Sequence, residues 1–241
     1  IDGVRGIEEI SLTTNGSLLS DQAEDLSRAG LVRVNVSLDA IDPKVFSRLT
    51  RGGDLGSVLD GIEVAREVGL DPVKLNTVVI KGENESQILP LVEFAARNNL
   101  VLRFIELMPM GEAGMGDIEP LPMEKVREMV EAEWSLEKDK GPRGNGPASY
   151  YRAIRGEDSL KVGFIFPLSN SFCEGCNRIR ITSRGNVRPC LARDEEFGLE
   201  VEDSTVDELA DRLREIIARK PLGHFWETRE VSAGEMSDIG G

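Results

Sequence analysis

The chain has 241 residues, 40% of them hydrophobic, enough to bury a core and to build two packed units. Lys and Arg number 29 against 43 Asp and Glu, a formal net charge of -14, and such a surface repels a phosphate backbone and argues against general nucleic-acid binding. No apolar run reaches the length of a membrane span and no signal peptide opens the chain, so a cytoplasmic protein with no membrane partner is expected.

From Ile7 to Leu107 one theme repeats: an apolar run ends in polar residues, and a helical pattern follows. The expected strands are IEEISLT (7–13), LVRVNVSL (31–38), VKLNTVVI (73–80) and LVLRFIEL (100–107). Val, Ile and Leu dominate them, as in strands buried on both faces. Asp42-Pro43 reads as an N-cap with proline at the first helical position. Val58, Leu59, Ile62, Ala65 and Val68 continue at helical spacing until Gly69 stops the helix. Ile88, Val92, Ala95 and Ala96 repeat the pattern before Asn98-Asn99. Alternation of this kind gives an α/β fold with a parallel sheet and right-handed crossovers. Four units are too few to close an eight-stranded barrel, which leaves an open sheet or part of a barrel.

After Met108 the texture changes. MPMGEAGMGDIEPLPM reads as a linker or active-site loop, a short helix is expected from Glu124 to Glu133, and KGPRGNGP breaks the chain again. ASYYRAI (148–154), LKVGFIF (160–166), IRITS (179–183) and VRPCL (187–191) suggest a small antiparallel unit, with Arg184-Gly185-Asn186 as a hairpin loop. Thr205 and Glu208 have capping-box spacing ahead of Leu209, Leu213, Ile216 and Ile217. Two domains are therefore expected, 1–108 and 109–241, with a polar tail, EMSDIGG.

The three cysteines, Cys173, Cys176 and Cys190, crowd into one short stretch. An odd, clustered set argues for a metal site rather than a disulfide framework. The turn Cys173-Glu174-Gly175-Cys176 lets two thiolates converge, and a hairpin through Gly185 would return Cys190 opposite Ile179. Three thiolates are a soft site for zinc or iron–sulfur. Zinc would want a fourth ligand, for which His224 is the one histidine available. An iron–sulfur cluster on three cysteines leaves one iron open to a small molecule. In a strand over 178–182, Arg178 and Arg180 share a face while Ile179 and Ile181 point the other way. Such a pair suits phosphate or carboxylate, although two arginines alone also fit a solvated strand face.

The segment FCEGCNRIRITSRGNVRPCL, preceded by LTTNG, NVSLDAID, VKLNTVVIKG and LRFIELMPMG and closed by SDIGG, closely resembles the GTP 3′,8-cyclases. These are radical S-adenosylmethionine enzymes of molybdenum cofactor biosynthesis, and the likeness runs in matching order from Ile7 to Gly241. The resemblance implies a partial (βα)6 barrel packed on a small α+β C-terminal domain. It makes Cys173, Cys176 and Cys190 the ligands of a C-terminal [4Fe-4S] cluster, whose open iron holds the purine of GTP. It gives Thr13, Lys74, Arg178, Ile179 and Arg180 to GTP, and Ser37 and Met108 to S-adenosylmethionine. Gly240 and Gly241 match a tail needed for the rearrangement. The implied reaction is radical cyclisation of GTP to (8S)-3′,8-cyclo-7,8-dihydroguanosine 5′-triphosphate. A homodimer and a downstream cyclic pyranopterin monophosphate synthase come with the resemblance as partners.

On residue type alone, Asn15-Gly16 would be a turn, Lys74 a surface lysine and Met108 a core residue. One departure stands out. The family binds a first, radical-generating [4Fe-4S] cluster through a Cys-x3-Cys-x2-Cys motif near its N-terminus, and this chain has no cysteine before Cys173 and no glycine-rich GGEP-type segment. The expectation is an N-terminally truncated member, lacking the first barrel strands. Alone it would bind the second cluster without cleaving S-adenosylmethionine, and its exposed sheet edge would favour aggregation. Two other readings stay open: another radical S-adenosylmethionine maturase with an auxiliary cluster, and a non-catalytic zinc-stabilised binding module.

Overall fold

A computed structural model describes residues 1–110, 119–142 and 146–224. The chain divides into two compact units, Ile1–Leu107 with Glu119–Phe166, and Met108–Ile118 with Pro167–Gly241.

The first unit is built on a seven-stranded sheet. Its strands are β1 (Ser11–Thr14), β2 (Arg33–Ser37), β3 (Val73–Val79), β4 (Val101–Glu106), β5 (Ser135–Asp139), β6 (Ser149–Arg155) and β7 (Asp158–Ile165). They lie in the order β1-β2-β3-β4-β7-β6-β5. β1 to β4 and β7 run parallel, while β6 and β5 are antiparallel additions at the far edge. Between the strands come α1 (Leu19–Arg28), α2 (Pro43–Leu49), α3 (Leu55–Glu67), α4 (Ile88–Arg97) and α5 (Met123–Glu131). The strand order from β1 to β4 never reverses, so right-handed crossovers carry the helices to one face, the winding of a βα barrel rather than of a doubly wound sheet.

The strands are therefore not apolar on both faces, as their Val, Ile and Leu content suggested. Val34, Val36, Leu75, Leu102, Phe104, Val162 and Phe164 are fully buried on one side. The alternate residues Thr13, Asn35, Ser37, Lys74, Asn76 and Arg103 occupy the other. The period-2 alternation was present in RVNVS, VKLN and LRF, and it marks a sheet with one polar face.

The helix entered at Pro43 is also shorter than its pattern implied. The Asp42 carboxylate accepts from the Lys44 and Val45 N–H groups and caps α2, which ends at Leu49. Arg51 (φ 58) and Gly52 (φ 101) turn the chain, and Asp54 caps α3 afresh. The four segments from 148 to 191 do not form one small unit. The first two become β6 and β7, joined to β4 through register pairs such as Phe104↔Phe164. Only the last two form the separate hairpin β8 (Arg180–Ile181) and β9 (Val187–Arg188).

Buried amides fasten the loop after β2 to the loop after β3. Asn84, 2% exposed, donates to the Asp39 and Val78 carbonyls and accepts from the Ile80 N–H. Gln87 accepts from the Ile41 and Asp42 N–H groups, and the Thr77 hydroxyl donates to the Leu38 carbonyl. Asp39 accepts from the Val78 N–H at 2.8 Å.

The second unit holds β8, β9 and α6 (Val206–Ala218). Thr205 and Glu208 form the expected capping box. Among the described residues its buried apolar cluster is Met110 and Ala192, with Met108, Leu168, Cys190 and Leu191 packed against them. Among the described residues no helix is long and apolar enough to cross a membrane.

Candidate functional site

Two sets of functional side chains can be followed, one in each unit. On the polar face of the sheet, Thr13 pairs in register with Asn35, and Asn35 with Lys74. Lys74 is the second residue of β3 yet stands in the same cross-strand row as Thr13, because the parallel register is staggered. One row further on, Ser37 at the end of β2 is level with Asn76, and Asn76 with Arg103. The Arg103 guanidinium donates to Asn35 Oδ1 and to Asn76 Oδ1, both at 2.8 Å. The Asn35 amide donates in turn to Thr13 Oγ1 at 3.1 Å. Thr13, Asn35, Asn76 and Arg103 thus form one hydrogen-bonded array across four strands.

The charges on this face are conditioned by burial. Lys74 is 5% exposed. Burial, then the nearby Arg33 and Arg103 guanidiniums, bring its ammonium down to about 8, with Glu9 opposing. Arg103 is lowered chiefly by burial, against the raising effect of its hydrogen-bonded neighbour Tyr150. Burial raises the Tyr150 phenol, and Arg103 pulls it back. Arg33 in turn pairs with Glu9. Arg103, Asn35, Asn76 and Tyr150 went unnoticed in the sequence, where Arg103 is one charge inside LVLRFIEL.

In the second unit, one cavity of about 90 Å³ is lined by Cys173, Cys176 and Cys190 together with Arg178, Arg180, Lys220, Phe172 and Met108. A one-turn helix, Cys173–Gly175, carries the first thiol into the cavity, closed by the Cys176 N–H donating to the Cys173 carbonyl. The hairpin returns the third. Thr182 and Asn186 close its turn, with Gly185 at φ 80. Arg180 faces Arg188 and Ile181 faces Val187, a register one residue away from the expected pairing of Cys190 with Ile179. Beyond Cys190 the chain is held by Arg188, whose 2% exposed guanidinium donates to the Arg193 carbonyl at 2.5 Å and to Asp194 at 2.8 Å.

All three cysteines are free thiols and half-buried. Burial raises the Cys176 pKa, but the Arg178 N–H and the Lys220 and Arg178 charges outweigh it and bring it below the ordinary thiol value. Arg180 is lowered by burial and by Arg178 and Arg188, while Cys176 and Cys190 raise it, which places its guanidinium among the thiols. Arg178 lies over the Phe172 ring, 5.1 Å from its centroid. Among the described residues no three His, Cys, Asp or Glu side chains gather closely enough to grip a single ion. The three thiols line one cavity, and His224, the fourth ligand that zinc would want, lines it as well. Three thiolates also suit a four-iron cluster, which spreads them over three irons, and the cations beside them can offset its negative charge.

The expected site residues fall in different places. Thr13, Ser37 and Lys74 share the polar sheet face. Cys173, Cys176, Cys190, Arg178, Arg180 and Met108 share the second unit's cavity, whereas Ile179 is not among its lining residues. Gly240 and Gly241 lie outside the described residues.

Comparison with known proteins shows the family. The family model described as the radical SAM superfamily matches residues 2–95, and the one described as Molybdenum Cofactor Synthesis C matches residues 100–226. A protein of Alkaliphilus metalliredigens named GTP 3′,8-cyclase is 41% identical over 245 residues, covering 100% of this chain and 75% of the relative. A protein of the same name from Listeria monocytogenes is also 41% identical, covering 98% and 73%. Among solved structures, Streptococcus suis SuiB bound to S-adenosylmethionine aligns with 91% of this chain and 50% of its own, at 18% identity and a TM-score of 0.52. That likeness is one of fold.

Proposed function

The chain belongs to the GTP 3′,8-cyclase family of molybdenum cofactor biosynthesis, and from that premise we propose that it binds GTP for radical cyclisation to (8S)-3′,8-cyclo-7,8-dihydroguanosine 5′-triphosphate. The observation that carries the proposal is the cavity where three free cysteines share walls with Arg178, Arg180 and Lys220. Cys173, Cys176 and Cys190 would hold a [4Fe-4S] cluster. When bound, such a cluster would offer an open iron to the guanine base. The radical would come from S-adenosylmethionine reduced at the family's first, N-terminal cluster, for which this sequence, with no cysteine before Cys173, supplies no ligands, so this chain alone is expected not to complete the reaction.

The chain's own residues bind and orient. Arg178 and Arg180 present planar guanidiniums suited to anionic oxygens, with Ile179 between them. On the sheet, Lys74 adds a cation and Thr13 a hydroxyl, and Asn35, itself held by Arg103, donates to Thr13 Oγ1 and orients it. Ser37, at the carboxyl end of β2 where βα sheets bind ligands, and Met108, just past β4, are proposed contacts for S-adenosylmethionine. Gly240 and Gly241 are proposed to act in the rearrangement. The reading includes a cytoplasmic homodimer and a cyclic pyranopterin monophosphate synthase as consumer of the product.

Metal and sulfide analysis after anaerobic reconstitution, with and without GTP, tests the proposal. About four iron and four sulfide per chain are expected, together with a GTP-dependent change in the cluster spectrum. About one zinc and no sulfide would instead mark a structural site and overturn the assignment.

A further inference from the structure

Lys220 occupies an unusual position for a lysine on an acidic protein. It lies two residues past the end of α6 and lines the cysteine cavity. Its ammonium donates to the Arg178 carbonyl at 2.5 Å and to the Pro189 carbonyl at 2.7 Å. Arg178 lies two residues beyond Cys176, and Pro189 immediately precedes Cys190. One side chain therefore ties together the two chain segments that deliver two of the three thiols. An ammonium has three N–H donors, and beyond these two carbonyls it also reaches the Cys176 sulfur.

The platform is fixed at both ends. The capping box holds the start of α6. At its end the Lys220 N–H donates to the Ile217 carbonyl, and Arg219 lies over the Phe197 ring, 5.2 Å from its centroid. Phe197 in turn exchanges backbone hydrogen bonds with Val187 of β9. The ammonium is thus aimed from an element braced against the hairpin it clamps.

We propose that Lys220 is a positioning residue for the cluster, its ammonium setting the separation of the Cys176 and Cys190 segments and offsetting negative charge on the thiolate side. The inference rests on the reading of the three cysteines as cluster ligands. A lone cation at a surface would do neither, but this one is bonded to the backbone on both sides of the ligand set. Hydrogen bonds to sulfur and local net charge are among the levers that set a cluster's reduction potential, so removing this ammonium should move it downward.

The test compares wild type, Lys220→Met and Lys220→Arg after anaerobic reconstitution. The readouts are iron content, midpoint potential and iron loss to a chelator. Lys220→Met is expected to fold, to lower the potential, and to lose iron about tenfold faster. Lys220→Arg, which keeps the charge and donors, should recover most of both. Wild-type potential and chelator resistance in Lys220→Met would overturn the inference, as would identical behaviour of the Met and Arg variants. Should Lys220→Met fail to fold, wild type labelled with ¹⁵N-lysine decides: hyperfine coupling of one lysine nitrogen to the reduced cluster is expected, and its absence counts against the role. A wild type that binds zinc alone overturns the cluster assignment and this role together, whereas a cluster-bearing wild type matched by Lys220→Met overturns this role only.

Discussion

At Asp39 the fold works against a charge. Burial raises its carboxyl from 3.8 to about 6, and the Val78 N–H lowers it only in part. The folded state therefore holds this proton more tightly than the unfolded chain does. The associated stability is fully present below about pH 4 and is lost as pH rises through about 6. Keeping the carboxylate ionised at pH 7 costs about 3 kcal/mol at 1.36 kcal/mol per pKa unit. Asp39→Asn, which retains an acceptor for the Val78 N–H, should raise stability at pH 7.5 and flatten its slope between pH 4 and 6. Urea melts at a series of pH values check this, and an unchanged slope would refute it. Lys74 titrates in the other useful range. With its ammonium near 8, the proposed GTP affinity should decline between pH 7 and 9, and Lys74→Arg should remove that decline in calorimetric titrations. Arg180→Ala should weaken GTP about 10- to 100-fold, the worth of a hydrogen bond to a charged group. At this scale the sequence showed the cysteines and both cavity arginines plainly, because spacing within a turn and a hairpin is local. Arg103 was hidden, since its partners Asn35 and Asn76 are distant in sequence and meet it only across strands.

Among the elements, caps and turn residues were the most legible. Asp42-Pro43, Gly69 and the Thr205/Glu208 box all act where the residue types placed them. The first four parallel strands were found because each lies in a short apolar run set between helical patterns. β5 was missed because SLEKD is a polar strand at the sheet edge, where one side of the ladder meets water. The docking of β6 and β7 onto β4 was misjudged for a related reason: strand partnership is non-local, and an alternating run does not say which neighbour it joins. Gly16 shows how tightly the turn after β1 is set. Its φ is +81°, and an added Cβ would lie 2.9 Å from Val58 Cγ1 and 3.0 Å from Val36 Cγ1. Gly16→Ala should cost about 1–3 kcal/mol from strain and overpacking, read as a lower denaturation midpoint. Wild-type stability in that variant would mean the turn can relax.

Over the whole molecule the two units differ in what can hold them together. The first has an extended apolar core running from Leu19 to Phe166. Among the described residues, the second packs a few side chains around Met110 and Ala192, with Cys190 itself among them, besides the buried Val187 and Ile216. A unit with so little apolar burial gains disproportionately from a bound metal group, because ligand binding to the folded state alone is folding free energy. Removing the proposed cluster should therefore speed amide hydrogen exchange across 167–224 while leaving the sheet strands protected. Uniform acceleration over both units would contradict this. The amides of Asn84 and Gln87 have a further consequence for anyone reshaping the protein. Because they stitch the loop after β2 to the loop after β3, neither loop has slack for an inserted residue or a grafted tag. Length can be added more safely between Arg51 and Gly52, where the chain turns and an added Cβ at Gly52 meets only open space.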